Sequence, residues 1–142
     1  MATTHLPQED LAQPVTWGIV VGALNVMIPA AFWWLDLATV HALAIALIAA
    51  VYIGFAVGDG RPRVIAIETA VVGLFVVVAA AAVTGSPWLL VAGYAGHGAK
   101  DLWQHRTQFV AGTRWWPPFC AAVDAVVAAS IAVLILTGVS FH

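Results

Sequence analysis

The residues between 96 and 105, GHGAKDLWQH, place ionisable side chains at regular intervals in an otherwise apolar stretch. His97, Asp101 and His105 follow one another at intervals of four residues. Side chains four residues apart lie on one face of an α-helix, so the spacing predicts a polar stripe along one helix. Imidazole and carboxylate groups in such a stripe can exchange protons, bind a divalent metal, or act as general acid and base.

The composition indicates which elements position these side chains. Of the 142 residues, 63% are hydrophobic and only 8% are charged, whereas soluble domains have about 25% charged residues. Long apolar runs occupy residues 15–35, 37–57, 64–83, 88–104 and 119–137. About 20 apolar residues span a bilayer as a helix, and lipid cannot satisfy unpaired backbone groups. We therefore expect an all-α fold, a polytopic bundle of five transmembrane helices that forms a single membrane domain over residues 1–142.

The orientation of the bundle follows from its cations. With five spans, every basic residue falls on the side that carries the N-terminus: Arg61, Arg63, Lys100, Arg106 and Arg114. Cytoplasmic loops are enriched in Lys and Arg. We therefore expect a cell-membrane protein with the N-terminus inside, the C-terminus outside and a cytoplasmic loop over residues 105–118. In a four-span alternative, the fourth run is a re-entrant or surface helix.

Acidic side chains on other helices reach the same depth as the stripe. At 1.5 Å per residue, Glu68 lies roughly 7 Å and Asp124 roughly 9 Å from the inner surface. Asp101 lies roughly 6 Å and His97 roughly 12 Å from the same surface. Because an ionisable group in lipid is costly, these four residues predict one shared pocket in the inner leaflet.

Other residues would line the rim of that pocket. They are Tyr94, His105 and Cys120, and Tyr52 and Asp59 lie toward the same inner side. No residue is assigned a catalytic role. The alternatives are that Asp101 pairs with Lys100, Arg106 or Arg114 near the surface, and that Glu68 and Asp124 are structural hydrogen-bond partners.

Residues 93–128 resemble a family of small bacterial multi-pass integral membrane proteins of unknown function. The resemblance is carried by His97, Asp101 and His105, by the Trp-Pro-x-Phe-Cys segment at 116–120, and by Asp124. An acidic residue early in the preceding helix, here Glu68, fits the same pattern. The chain is more distantly similar to alkaline-ceramidase-like membrane hydrolases, which hold zinc with histidines and acids from several helices. Only His97 and His105 lie near the pocket expected here, fewer histidines than those hydrolases use.

Three functions are compatible with these residues. The first is a carrier or sensor that binds a proton, a cation or a small polar ligand in the pocket. The second is a structural or assembly subunit of a membrane complex. The third is a metal-dependent membrane enzyme acting on a lipid or isoprenoid, with a divalent metal held by ligands drawn from His97, Asp101, Glu68 and Asp124. No cofactor is assigned beyond that metal.

The expected partners are the lipid bilayer and either a second copy of the chain or a larger membrane complex. A net charge of -2 gives no basic surface for nucleic acid.

Overall fold

Helices provide the regular structure of this chain. The structure is a computed structural model and describes residues 10–142. Within that range there is no β-strand, and the helices are α1 (Ala12–Val26), α2 (Ile28–Ala31), α3 (Leu37–Asp59), α4 (Pro62–Thr84), α5 (Trp88–Thr107) and α6 (Trp116–Leu136). The all-α class that the sequence predicts is confirmed for these residues.

Three helices of the described range are long and apolar enough to cross a membrane. They are α3 and α4, with 23 residues each, and α6, with 21. A 23-residue helix is about 35 Å long, which exceeds the hydrocarbon core of a bilayer. α1 has only 15 residues, and α5 includes the polar GHGAKD segment. The membrane class therefore has direct structural support from three helices, while the count of five spans stays a prediction.

The first apolar run is divided into two helices. α1 ends at Val26, and α2 starts at Ile28, one residue before Pro29. Proline has no backbone N–H, and its ring crowds the preceding turn, so a helix cannot continue through it undisturbed. Around the break the backbone bonds shorten to a spacing of three residues, as from the N–H of Met27 to the carbonyl of Leu24. The run 15–35 is consequently not one continuous helix.

The long helix α3 has defined signals at both ends. The Asp36 carboxylate accepts a hydrogen bond from the backbone N–H of Thr39 at 2.6 Å, which caps the first turn. That hydrogen bond lowers the pKa of Asp36, because it favours the ionised form. At the other end Gly60 has φ 79°, a left-handed conformation that glycine adopts without steric cost.

Helix packing places α5 at the centre of the polar residues. α1 packs along α6, and Gly18 and Gly22 face Phe119, Val123 and Val126 of that helix. α6 also packs along α5, α3 packs along α4, and α5 contacts both α3 and α4. Buried side chains on α5 therefore meet residues from three other helices.

Candidate functional site

Two of the three residues in the polar stripe of α5, His97 and Asp101, are buried. His97, Asp101 and Gln104 are each no more than 1% exposed, and Tyr94 is fully buried one turn before them. Their positions repeat at intervals of three and four residues, so they form one face of the helix. His105, by contrast, is only partly buried, and its Nδ1 has no hydrogen-bond partner among residues 10–142.

His97, Asp101 and Asp124 form a triad in which one imidazole nitrogen faces two carboxylates. His97 Nδ1 lies 2.8 Å from Asp124 Oδ2 and 3.2 Å from Asp101 Oδ2. A ring nitrogen carries at most one hydrogen, so it donates to a single acceptor, and the shorter contact is the hydrogen bond. Within the described residues, Asp101 Oδ2 and Asp124 Oδ1 accept no hydrogen bond. Each carboxylate thus keeps one unsatisfied oxygen in a fully buried position.

Tyr52 of α3 provides a hydrogen bond to the other oxygen of Asp101, Oδ1. Its hydroxyl donates a 2.5 Å hydrogen bond to Asp101 Oδ1, and both residues are 0% exposed. Tyr52 also stands edge-on to His97, with ring centroids 6.0 Å apart, while Phe75 of α4 packs edge-on at 5.0 Å. The two aromatic rings hold the imidazole in place and surround it with apolar surface.

An ion pair lies next to the triad. Lys100 Nζ is 2.7 Å from Glu68 Oε2 and 3.0 Å from the centroid of the Tyr52 ring. The side chain of Lys100 is 12% exposed and that of Glu68 is 1% exposed. The ammonium group therefore compensates Glu68 and also makes a cation–π contact with the tyrosine that bonds Asp101. We call the triad together with Tyr52, Lys100 and Glu68 the polar cluster.

The structure brings together three of the four residues expected to form the pocket. The fourth, Glu68, lies beside them but is bonded to Lys100. Asp101 contacts Tyr52 and His97, although a cation near the surface was the alternative expectation for it. The sequence suggests Tyr52 only as a rim residue and does not predict the pairing of Lys100 with Glu68. The sequence offers one signal for this pairing: an acid within an apolar run requires a cation at a similar depth in the membrane.

The residues expected at the rim are divided between different parts of the bundle. Cys120 is 3% exposed and lies one turn before Asp124 on α6. Tyr94 donates a hydrogen bond to the backbone carbonyl of His41 at 3.2 Å. His41 lies near the N-terminal end of α3, so the Tyr94 hydroxyl extends away from the triad.

The donor atoms of the triad are close enough to be considered as metal ligands. One atom each from His97, Asp101 and Asp124 can be chosen so that all lie within 4.8 Å of one another. At bond lengths of about 2.0–2.1 Å, two ligands of a tetrahedral zinc are about 3.3 Å apart. The 2.8 Å separation between His97 and Asp124 is instead a hydrogen-bond distance. The set supplies three donors, since Glu68 is bonded to Lys100, and it would have to spread to hold a metal.

The charges of the polar cluster do not balance. Its three carboxyl groups, Glu68, Asp101 and Asp124, face two basic groups, Lys100 and His97. If every group is ionised, one negative charge is left in a site that is almost completely buried. An uncompensated buried charge costs several kcal/mol, so the cluster favours the uptake of one positive charge.

Comparisons with protein-family models, with curated proteins and with solved structures found no match.

Proposed function

We propose that this protein is a multi-pass membrane protein whose polar cluster binds one exchangeable proton, as a proton carrier or a proton sensor. One observation carries this proposal: His97 Nδ1 lies between the carboxylates of Asp101 and Asp124, and these two acids share His97 as their basic partner. One added proton makes the cluster neutral and gives an unsatisfied carboxylate oxygen a hydrogen to share. Two carboxylates in one site do not ionise together readily, so such a proton is held between them.

The membrane arrangement we propose has five spans, with the N-terminus inside and the C-terminus outside. Contacts between loops support it. Arg61, between α3 and α4, bonds the backbone carbonyl of Phe109, between α5 and α6, at 2.6 Å. At the opposite end Ala38 bonds the carbonyl of Phe141 at 3.1 Å. Segments that the five-span arrangement assigns to one side are therefore in contact with each other.

A proton fits the site better than a larger ligand does. The triad is held at hydrogen-bond distances, and its residues are at most 1% exposed. Three apolar grooves on the surface of the described residues are lined by side chains that do not belong to the polar cluster. The resemblance to small bacterial membrane proteins stays a proposal that is compatible with this site.

The test is an infrared titration of the purified full-length protein in detergent. A protonated buried carboxyl group absorbs as a carboxylic acid C=O, and the band disappears when the proton leaves. We expect this band in the wild type and expect it to be absent in Asp124→Asn, whose remaining charges balance. Asp10→Asn removes an exposed carboxylate whose one hydrogen bond among residues 10–142 is to the start of α1, so the band should persist in that control.

A divalent metal is the second candidate, because the three donors lie within one small volume. Metal analysis of the same preparations separates it from the proton proposal. Stoichiometric metal in the wild type that is lost in Asp124→Asn would replace the proton site with a metal site and favour a membrane enzyme. If the preparations show neither the band nor a metal, the cluster has a structural role, as expected for an assembly subunit.

A further inference from the structure

A proton site must exchange with water, yet the triad within the polar cluster is buried. Asp101 and Asp124 are 0% exposed, and His97 and Glu68 are 1% exposed. Some part of the protein therefore has to move before water reaches the triad. The elements packed directly around it are long helices, whose separation would expose large apolar surfaces.

The inner end of the cluster is covered by a short non-helical segment. We call residues 108–115, which connect α5 to α6, the strap. Val110 of the strap is 0% exposed and packs with Tyr52, Ala56 and Val64. The residue that bonds Asp101 is thus separated from the inner side of the bundle by the strap.

Gln104 attaches the strap to the helix that carries the triad. Its Nε2 donates to the carbonyl of Val110 and to Thr113 Oγ1, both at 2.9 Å, and its Oε1 accepts from the N–H of Val110 at 3.2 Å. Gln104 follows Asp101 by three residues, so this attachment lies one turn from the triad.

A second attachment comes from the loop between α3 and α4. Asp59 Oδ2 accepts from the N–H of Ala111 at 2.8 Å, and Arg61 Nη2 donates to the carbonyl of Phe109 at 2.6 Å. Arg61 also bonds both carboxylate oxygens of Asp59, at 2.6 and 2.7 Å. The hydrogen bond to Asp59 raises the pKa of Arg61, which therefore keeps its charge. We call this pair the latch.

The latch and the strap have the features of a movable part. The Arg61 side chain is 58% exposed, so water competes for its hydrogen bonds. The strap contains two positions with positive φ, Gln108 at 49° and Gly112 at 75°, where the chain turns between α5 and α6. Opening the strap breaks a few side-chain bonds and separates no pair of helices.

We propose that the strap is an inner gate over the polar cluster and that the Asp59–Arg61 latch holds it closed. This inference rests on the proposed proton site, because the gate is the route by which water would reach Tyr52 and Asp101. When the latch opens, Val110 leaves Tyr52, and the inner end of α6, including Cys120, becomes accessible.

Cys120 is a native reporter of this opening, since it is the single cysteine of the chain. The experiment measures its rate of modification by a small charged thiol reagent, with full-length protein in detergent at one pH. Arg61→Gln and Asp59→Ala each remove bonds of the latch, and both should raise the rate about tenfold. Arg63→Gln is the matched control, because it removes the same charge nearby and the described part of the chain shows no hydrogen bond to Arg63.

Helix content and the thermal midpoint of each variant confirm that it is folded, and if one latch variant does not fold, the other provides the test. Equal modification rates in the latch variants and Arg63→Gln would overturn the gate. The infrared band of the triad is measured separately. If the strap is not a gate, the band is still present in the wild type. If the triad holds no proton, the band is absent, and the Cys120 modification rates are not affected by that result.

Discussion

At the scale of single residues, Lys100 determines the net charge of the polar cluster. It compensates Glu68 at 2.7 Å and lies against the ring of Tyr52. Without its ammonium group, two negative charges would be left among the buried acids. The uptake of protons should therefore depend on Lys100, although its hydrogen bond is to Glu68 and not to a carboxylate of the triad.

Lys100→Gln should add a second protonated carboxyl group to the cluster. Glu68 would then be a buried carboxylate with no cation, and a buried acid in that position binds a proton. The measurement is the intensity of the carboxylic acid C=O band, which should increase relative to the wild type. Lys100→Arg keeps the charge and should leave the intensity unchanged; an unchanged band in Lys100→Gln would show that Glu68 does not need Lys100.

Tyr52→Phe should destabilise the fold by about 1–3 kcal/mol, because it leaves a fully buried carboxylate oxygen of Asp101 without its donor. The free energy of unfolding in mixed detergent, followed by circular dichroism, measures this loss. Tyr94→Phe is the control. Its hydroxyl bonds a backbone carbonyl at 3.2 Å, and we expect a smaller loss of about 0.5–1 kcal/mol. Equal effects would contradict a special role for Tyr52.

Residue types and spacing were enough to predict three members of the triad. His97 and Asp101 share a helical face by periodicity, and Asp124 stands out as an acid in an apolar run. The sequence does not predict which groups form hydrogen bonds with Tyr52 and Gln104. Their partners, Asp101 and Val110, are fixed by how α3 and the strap dock onto α5, which helical periodicity does not determine.

At the scale of elements, two pairs of glycines with the same spacing have different environments. Gly18 and Gly22 of α1 lie against α6, where a Cβ on Gly18 would overlap the backbone carbonyl oxygen of Phe119. Gly54 and Gly58 of α3 have no neighbour within 4 Å of an added Cβ among the described residues. The spacing alone permits close helix packing at both pairs, and only the tertiary structure shows where it occurs.

Gly18→Ala should lower the free energy of unfolding by about 1–3 kcal/mol, since a methyl group there forces α1 away from α6. Gly54→Ala is the matched substitution in open space. It should be neutral or stabilise by up to about 1 kcal/mol, because alanine favours the helix. Detergent-induced unfolding of both variants gives the comparison. A loss of stability in Gly54→Ala comparable to that in Gly18→Ala would mean that α3 has a partner on that face.

The elements also show where sequence reasoning is weakest. The apolar run 15–35 predicts one span, and within that run α1 ends at Val26, three residues before Pro29. Pro29 within that run predicts a kink, but the position of the proline does not give the residue at which the helix ends. The long runs that became α3, α4 and α6 contain no internal proline beyond their first turns, and there helix type and approximate length agree with the prediction.

At the scale of the whole molecule, the proposed arrangement gives the two termini different locations. An odd number of spans places them on opposite sides of the membrane, and an even number places them on the same side. Reporter fusions at each end of the full-length chain therefore test the five-span proposal. We expect the N-terminal reporter to be active only inside and the C-terminal reporter only outside; both termini on one side would require the four-span alternative.

The central claim is that Asp101 and Asp124 share one proton with His97. Infrared titration of Asp101→Asn beside Asp124→Asn tests it most directly. Each substitution alone removes one negative charge and balances the cluster, so the account predicts that the carboxylic acid band disappears in both variants. A band that persists in either variant would show a proton held by one carboxyl group alone and would contradict the shared site.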